Sequence, residues 1–353
     1  MTRRRKFLFT GCVCGVVALL GLVLAELYIR CCIPLDESGW YELVDDPILF
    51  YRFTAEKEGE DLGKRRTQTA QRLRGPFTYS EQPAPGVHRL LWLGDSACFA
   101  TGVADEETAA YRLYELATAA GVSLESINLA VVGYNVRQVR EVLARRSAEF
   151  QGVSTVVYYH HENDIVNAPW VALAPHLPSK LYRDYDPPQA AWKKVLKRSA
   201  LVHRLARTQW FARQHAVPAA SFDPSEPPPM AYYTRLCASL YTDGHAMGRQ
   251  FRDELYAMAD LVEPIGARFI LVYWPTQTIR GHDELDRVRS VMRNWCAARN
   301  IHLLDVTDAF LAGDARDLYL DPIHPSPDGQ RIIAEAVWAA LGDGRFGPPN
   351  RVE

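Results

Sequence analysis

The chain has 353 residues, 48% of them hydrophobic and 11% aromatic, enough apolar material for one large or two modest globular units. With 40 Lys and Arg against 42 Asp and Glu, the formal net charge is -2, which argues against a nucleic-acid binder with its usual basic excess. Seven cysteines make an odd count, and no spacing among them resembles a zinc site.

The first element differs from everything after it. Arg3, Arg4, Arg5 and Lys6 precede Phe7 to Ala25, a run without a charged side chain. At about 1.5 Å per residue, such a helix covers roughly the 30 Å hydrocarbon core of a bilayer. The basic cluster prefers the cytoplasmic side, so the chain beyond Glu26 is expected outside the cytoplasm, in the periplasm or at the cell surface. A cleaved signal peptide is the competing reading. The bulky "ELYIRCC" that follows lacks a small-x-small site, which favours a retained anchor over residues 1–30. Cys31 and Cys32 leave the membrane there, and their pairing stays open.

Residues 31–87, with "EKEGED", "GKRRTQ" and "EQPAPG", are polar and aperiodic, and read as an irregular lead-in. From His88 the runs "HRLLWLGDS", "ESINLAVVG", "STVVYYHHEND", "ARFILVYWP" and "IHLLDVT" have the signature of buried parallel strands. Between them, "EETAAYRLYELATAAG" with Gly121 as its stop, "VRQVREVLARRSAEF" and "FRDELYAMADLVEPIG" carry helical spacing, and "DGQRIIAEAVWAAL" closes the domain before a tail over 342–353. Alternating strands and helices imply an α/β fold with a helix-covered parallel sheet. About residues 168–250 break the rhythm and read as an insertion. It includes a basic amphipathic stretch, "AWKKVLKRSALVHRLARTQWFARQH", either a solvated face or a surface for anionic lipid or an acidic substrate.

Ligands of open parallel sheets bind beyond the carboxyl ends of the strands, so the residues that end the apolar runs are the ones to inspect. Ser96 ends the first, Gly133 follows the second, Asn163 follows the third, and Asp321 and His324 precede the last helix. Singly each is an ordinary cap, turn or surface residue. Together they fit acyl transfer. A serine hydroxyl needs a base to take its proton, and an imidazole needs a carboxylate to fix its tautomer. The oxyanion needs donors, which the backbone N–H groups of Ser96 and Gly133 and the Asn163 amide can supply.

In these motifs the chain resembles the SGNH hydrolases, also called the GDSL esterase and lipase superfamily. "GDS" at 94–96, "NLAVVG" at 128–133, "END" at 162–164 and "DPIH" at 321–324 stand in the family's order, and the resemblance covers about residues 88–341. It implies a flavodoxin-like three-layer α/β/α sandwich, with Ser96 as nucleophile, Asp321 and His324 completing the triad, and Ser96, Gly133 and Asn163 as the oxyanion hole. No cofactor and no metal are implied. Two positions depart from the family's pattern: Ala97 where Leu is common, and His161 where Gly is common. The second brings an imidazole close to the oxyanion site, and His161 and Asn135 are assigned to the substrate pocket. His160, His161 and Glu162 do not suit a metal, since neighbours on a strand face opposite ways. Asp95 and Asp164 are expected to hold loops, and Ser326 with Pro327 and Asp328 to begin the last helix.

The expected function is a membrane-anchored serine esterase acting on an ester-bearing small molecule, glycan or lipid. An O-acyltransferase using the same acyl-enzyme, and an inactive tethered scaffold, are the alternatives. Substrate and oligomeric state are left open.

Overall fold

The computed structural model describes residues 3–32, 40–44, 46, 48–49, 51–61, 63–165, 199, 201, 235 and 237–342. The chain divides into two units, Met1–Glu42 with Ala168–Asp223, and Leu43–Asn167 with Pro224–Glu353.

In the first unit, helix α1 (Arg3–Cys32) is apolar on every side and has no amphipathic face. Its stretch Phe9–Ile29, 21 residues of mean hydropathy 2.4, is long and apolar enough to cross a membrane. Near its end, Glu26 Oε2 accepts hydrogen bonds from the Ser199 hydroxyl (2.8 Å) and the Leu201 N–H (3.0 Å). Apart from these two positions, the basic amphipathic stretch within the insertion lies outside the described residues, as do the side chains of Cys31 and Cys32 and the tail beyond Gly342.

The short strands β1 (Tyr41–Leu43) and β2 (Tyr51–Phe53) are followed by an antiparallel hairpin of β3 (Lys57–Asp61) and β4 (Lys64–Gln68). The second unit therefore includes residues 43–87, and the expectation of an irregular lead-in is corrected here. Apolar alternation gives no warning of this hairpin, because its facing residues are charged or polar: Glu60 stands across from Arg65, Glu58 from Thr67 and Lys57 from Gln68. Only the last residues of β4 are buried.

The core of the second unit is a five-stranded parallel sheet of β5 (His88–Gly94), β6 (Leu124–Asn128), β7 (Val153–Tyr159), β8 (Arg268–Tyr273) and β9 (His302–Asp305), in the order β6-β5-β7-β8-β9. All five expected strands are present. The three central strands are buried almost end to end, as strands covered on both faces must be. Helix α2 (Ser96–Phe99) follows β5 directly; α3 (Ala109–Ala119) links β5 to β6, and α4 (Val136–Arg146) links β6 to β7. Since the chain reverses direction across the sheet after β6, right-handed crossovers place α3 and α4 on opposite faces. Helices α5 (Ala246–Val262) and α6 (Asp283–Ala298) follow β7 and β8 in the same direction as α4, and α5 packs on α4. After β9 come α7 (Thr307–Ala312), α8 (Ala315–Leu318) and α9 (Pro327–Gly342), which packs on α3. The result is a three-layer sandwich of the flavodoxin-like order, whose crevice opens where β5 and β7 part.

Candidate active site

The strand β5 stops where it does for a steric reason. A Cβ at Gly94 would lie 2.6 Å from the Cys98 Cβ and 2.7 Å from the Tyr159 carbonyl oxygen, so only glycine lets β5, β7 and the following turn approach. Asp95 then caps α2, its Oδ1 accepting from the Ala97 N–H at 2.9 Å. Ala100, left-handed at φ 65°, ends the helix after one turn.

A one-turn helix leaves most of its carbonyls without partners of its own, and the rest of the fold supplies them for Ala97, Cys98 and Phe99. Ser96 C=O accepts from Thr101 N–H (3.1 Å), Ala97 C=O from the Gln330 amide (3.0 Å), Cys98 C=O from the Asn128 amide (3.0 Å) and Phe99 C=O from Arg74 Nε (3.3 Å). Arg74 also pairs with buried Asp105, and its guanidinium lies 4.9 Å from the Phe99 ring centroid. Helix α9, strand β6 and the segment after the hairpin thus fix the turn that carries Ser96. Sequence reading missed Arg74 and Gln330 in this role. The available signal was a polar residue that the fold nonetheless buries.

His324 reaches this turn from 228 positions away. Its Nε2 lies 3.0 Å from Ser96 Oγ, and its Nδ1 lies 2.7 Å from Asp321 Oδ2. The other Asp321 oxygen accepts the N–H groups of Ile323 (2.8 Å) and His324 (2.9 Å), which makes Asp321–His324 a self-closed turn. Partial desolvation pulls the Asp321 carboxyl upward, but the His324 ring and those two N–H groups outweigh it, so its pKa lies below the ordinary value. Behind the turn, Ser326 Oγ accepts from Gly329 N–H (3.2 Å) and starts α9 with Pro327 in its first position.

Ser96 is 8% exposed, and its hydroxyl has a second acceptor, Asp95 Oδ2, at 3.3 Å. Two residues along, burial and the carboxylates of Asp95 and Asp164 push the Cys98 thiol well up, which keeps it protonated and unsuited to attack.

On the flanks of β5, the chain leaving β6 passes beside Gly94 (Val131 N–H to Gly94 C=O, 3.2 Å) and turns at Gly133, whose φ of 77° resists a side chain. The N–H groups of Ser96 and Gly133 have no acceptor among the described residues. Asn163 lies in the short turn Glu162–Ile165 after β7; its own N–H donates to His161 Nδ1 at 3.2 Å, and its side-chain amide nitrogen has no acceptor among the described residues.

His161 is 2% exposed, packs on Trp274 with ring centroids 5.6 Å apart, and keeps Nδ1 4.0 Å from Asp95. His160 turns the other way, to the Tyr241 hydroxyl at 2.7 Å. Asp164 holds the loop as expected, accepting from Tyr158 OH (2.7 Å) and His161 N–H (3.0 Å). Asn135 caps α4, its Oδ1 accepting from Gln138 N–H at 3.1 Å, a structural task for a residue expected in the pocket.

Glu162 is fully buried, and burial raises its pKa against the opposing pull of His161 and the nearby N–H groups of Glu162 and Thr276. A carboxyl whose pKa is higher folded than unfolded favours the fold at low pH and loses that contribution as pH rises toward the folded value. Glu162→Gln should therefore melt above wild type near neutral pH, with the difference closing toward acid. Thermal melts across a pH series test this, and a difference that widens toward acid would contradict it.

Fold and site together are those of a doubly wound α/β protein with a serine, a histidine and an aspartate in one hydrogen-bonded row at the carboxyl end of its sheet. No family model matches the chain, and no curated protein matches it. Solved structures do. One titled TesA is 16% identical (TM-score 0.44), covering 72% of this chain and 98% of its own. The psychrotrophic esterase EstA from Pseudoalteromonas sp., inhibited by monoethylphosphonate, is 14% identical (TM-score 0.42; 72% and 96%). A member of the lipolytic protein G-D-S-L family from Veillonella parvula is 11% identical (TM-score 0.40; 72% and 98%).

Proposed function

We propose that this chain is a serine esterase of the SGNH type that cleaves O-acyl esters through an acyl-enzyme on Ser96. The observation that carries the reading is the row Ser96 Oγ, His324 Nε2 and His324 Nδ1, Asp321 Oδ2, with separations of 3.0 and 2.7 Å. Asp321 keeps the proton on Nδ1, which leaves the Nε2 lone pair facing the hydroxyl. His324 takes the Ser96 proton as Oγ attacks the ester carbonyl, then returns it to the departing alkoxide. Water, activated by the same nitrogen, attacks the acyl-enzyme and releases the acid. The free N–H groups of Ser96 and Gly133 and the Asn163 amide are the donors assigned to the oxyanion.

The apolar span Phe9–Ile29 supports an anchor, with the basic residues before it in the cytoplasm and the esterase outside. Substrates in that setting are esters on small molecules, glycans or lipids.

A fluorophosphonate forms a covalent adduct with an activated serine. The purified protein should be labelled in one position, and Ser96→Ala should abolish the label. Labelling that persists in Ser96→Ala, or none in either form, would refute the reading.

A further inference from the structure

The segment between the anchor and the sheet contributes a contact aimed at the donor peptide itself. Tyr51 in β2 is fully buried, and its hydroxyl donates to the Val132 carbonyl at 2.8 Å. That carbonyl and the Gly133 N–H belong to one peptide unit. The chain has no cis peptide bond among the described residues, and in a trans peptide the C=O and N–H point in opposite directions. Holding the oxygen of this unit therefore sets the direction of its N–H. Accepting a hydrogen bond at the carbonyl also polarises the N–H and strengthens it as a donor. The restraint is needed because Gly133, at φ 77°, has no side chain to limit its backbone.

Tyr51 is itself held. Its carbonyl accepts from the Tyr134 hydroxyl, the two rings meet edge to face at 5.1 Å, and Gln138 of α4 donates to the carbonyls of Ile48 (3.1 Å) and Leu49 (3.3 Å) just upstream. Asp46 closes that turn through the N–H groups of Ile48 (2.8 Å) and Leu49 (2.9 Å).

We infer that Tyr51 is a positioning residue for the oxyanion hole, orienting the Gly133 N–H through the Val132 carbonyl. This rests on the esterase reading above, and it makes the juxtamembrane segment a working part of the site.

Tyr51→Phe tests it, since only the hydroxyl is lost and the ring stays in place. Ser96-dependent fluorophosphonate labelling of wild type is measured first; its absence overturns the esterase reading and this inference together. Where labelling is present, kcat for an acetyl ester is expected to fall about tenfold in Tyr51→Phe, less than the ~100-fold or more for a deleted donor, with KM within about twofold. Inhibition by a boronic acid, which mimics the tetrahedral state, should weaken by the same factor as kcat/KM. Tyr79→Phe serves as control: it removes a part-buried tyrosine hydroxyl that likewise donates to a backbone carbonyl, that of Ser126 at 3.0 Å, and leaves the Tyr51 and Val132 contact intact, so kcat should stay at wild type. Wild-type kcat in Tyr51→Phe, unchanged boronate inhibition, or an equal loss in Tyr79→Phe would overturn the inference while leaving the esterase reading intact. All variants are assayed well below their melting temperatures.

Discussion

His324→Ala should lower kcat for ester hydrolysis by about 10⁴- to 10⁶-fold, the cost seen when the base of a serine triad is removed, with KM changed far less. The size follows from the geometry. Without Nε2 at 3.0 Å, the Ser96 hydroxyl has, among the described residues, only Asp95 Oδ2, at 3.3 Å, as an acceptor, and that oxygen belongs to a carboxylate already engaged in capping α2. Asp321→Asn should cost about 10⁴-fold, because an amide in that place favours the wrong tautomer of the imidazole. The lowered pKa of Asp321 means that its carboxylate stays charged as the assay is taken from neutral into mildly acid pH. Hydrolysis of a chromogenic acetate by matched preparations, with folding checked by circular dichroism, is the measurement. Residual activity above about one part in a hundred would place the base elsewhere.

Arg89→Met should destabilise the second unit by about 3–5 kcal/mol and leave activity per folded molecule unchanged. Arg89 is fully buried near the start of β5, at the end of the sheet opposite Ser96. Its guanidinium meets Glu125 Oε2 (2.6 Å) and the carbonyls of Ser80 (2.8 Å), Glu81 (2.6 Å) and Gln151 (2.8 Å). Removing it leaves one part-buried carboxylate and three part-buried carbonyls without the guanidinium, and a polar group left unsatisfied in a protein costs about 1–3 kcal/mol. Arg331→Met is the comparison: that side chain is 49% exposed beside Glu335 and Asp328, and such pairs contribute about 0–1 kcal/mol. Urea titrations of both variants should separate them clearly. Equal midpoints would mean that the Arg89 cluster contributes no more than a surface pair.

The strands, and the contact of Asp321 with His324, were legible because their signals are local. An apolar run of strand length ending in a small or polar cluster marks a buried parallel strand, and Asp321 lies within one turn of His324. What was not legible is held by distant pairings. The hairpin of β3 and β4 has charges where a strand usually alternates apolar residues, so its pairing exists only in three dimensions. Helix α6 buries Leu285, Val288, Met292 and Trp295 along one stripe, a helical period that was present in the sequence and passed over. Tyr51, Arg74 and Gln330 carry no motif at all; each acts on a backbone group 25 to 233 positions away. Asn135, close to a motif in sequence, also caps α4, a task that its position before an apolar helical period makes readable.

The three carbonyls of α2 anchored from elsewhere in the fold bear on redesign. Transplanting the serine, histidine and aspartate into a foreign sheet would copy the reagents without the scaffolding that keeps the alcohol still. Asn128, Gln330 and Arg74 would have to travel with them, since a one-turn helix has too few internal bonds to hold its own shape.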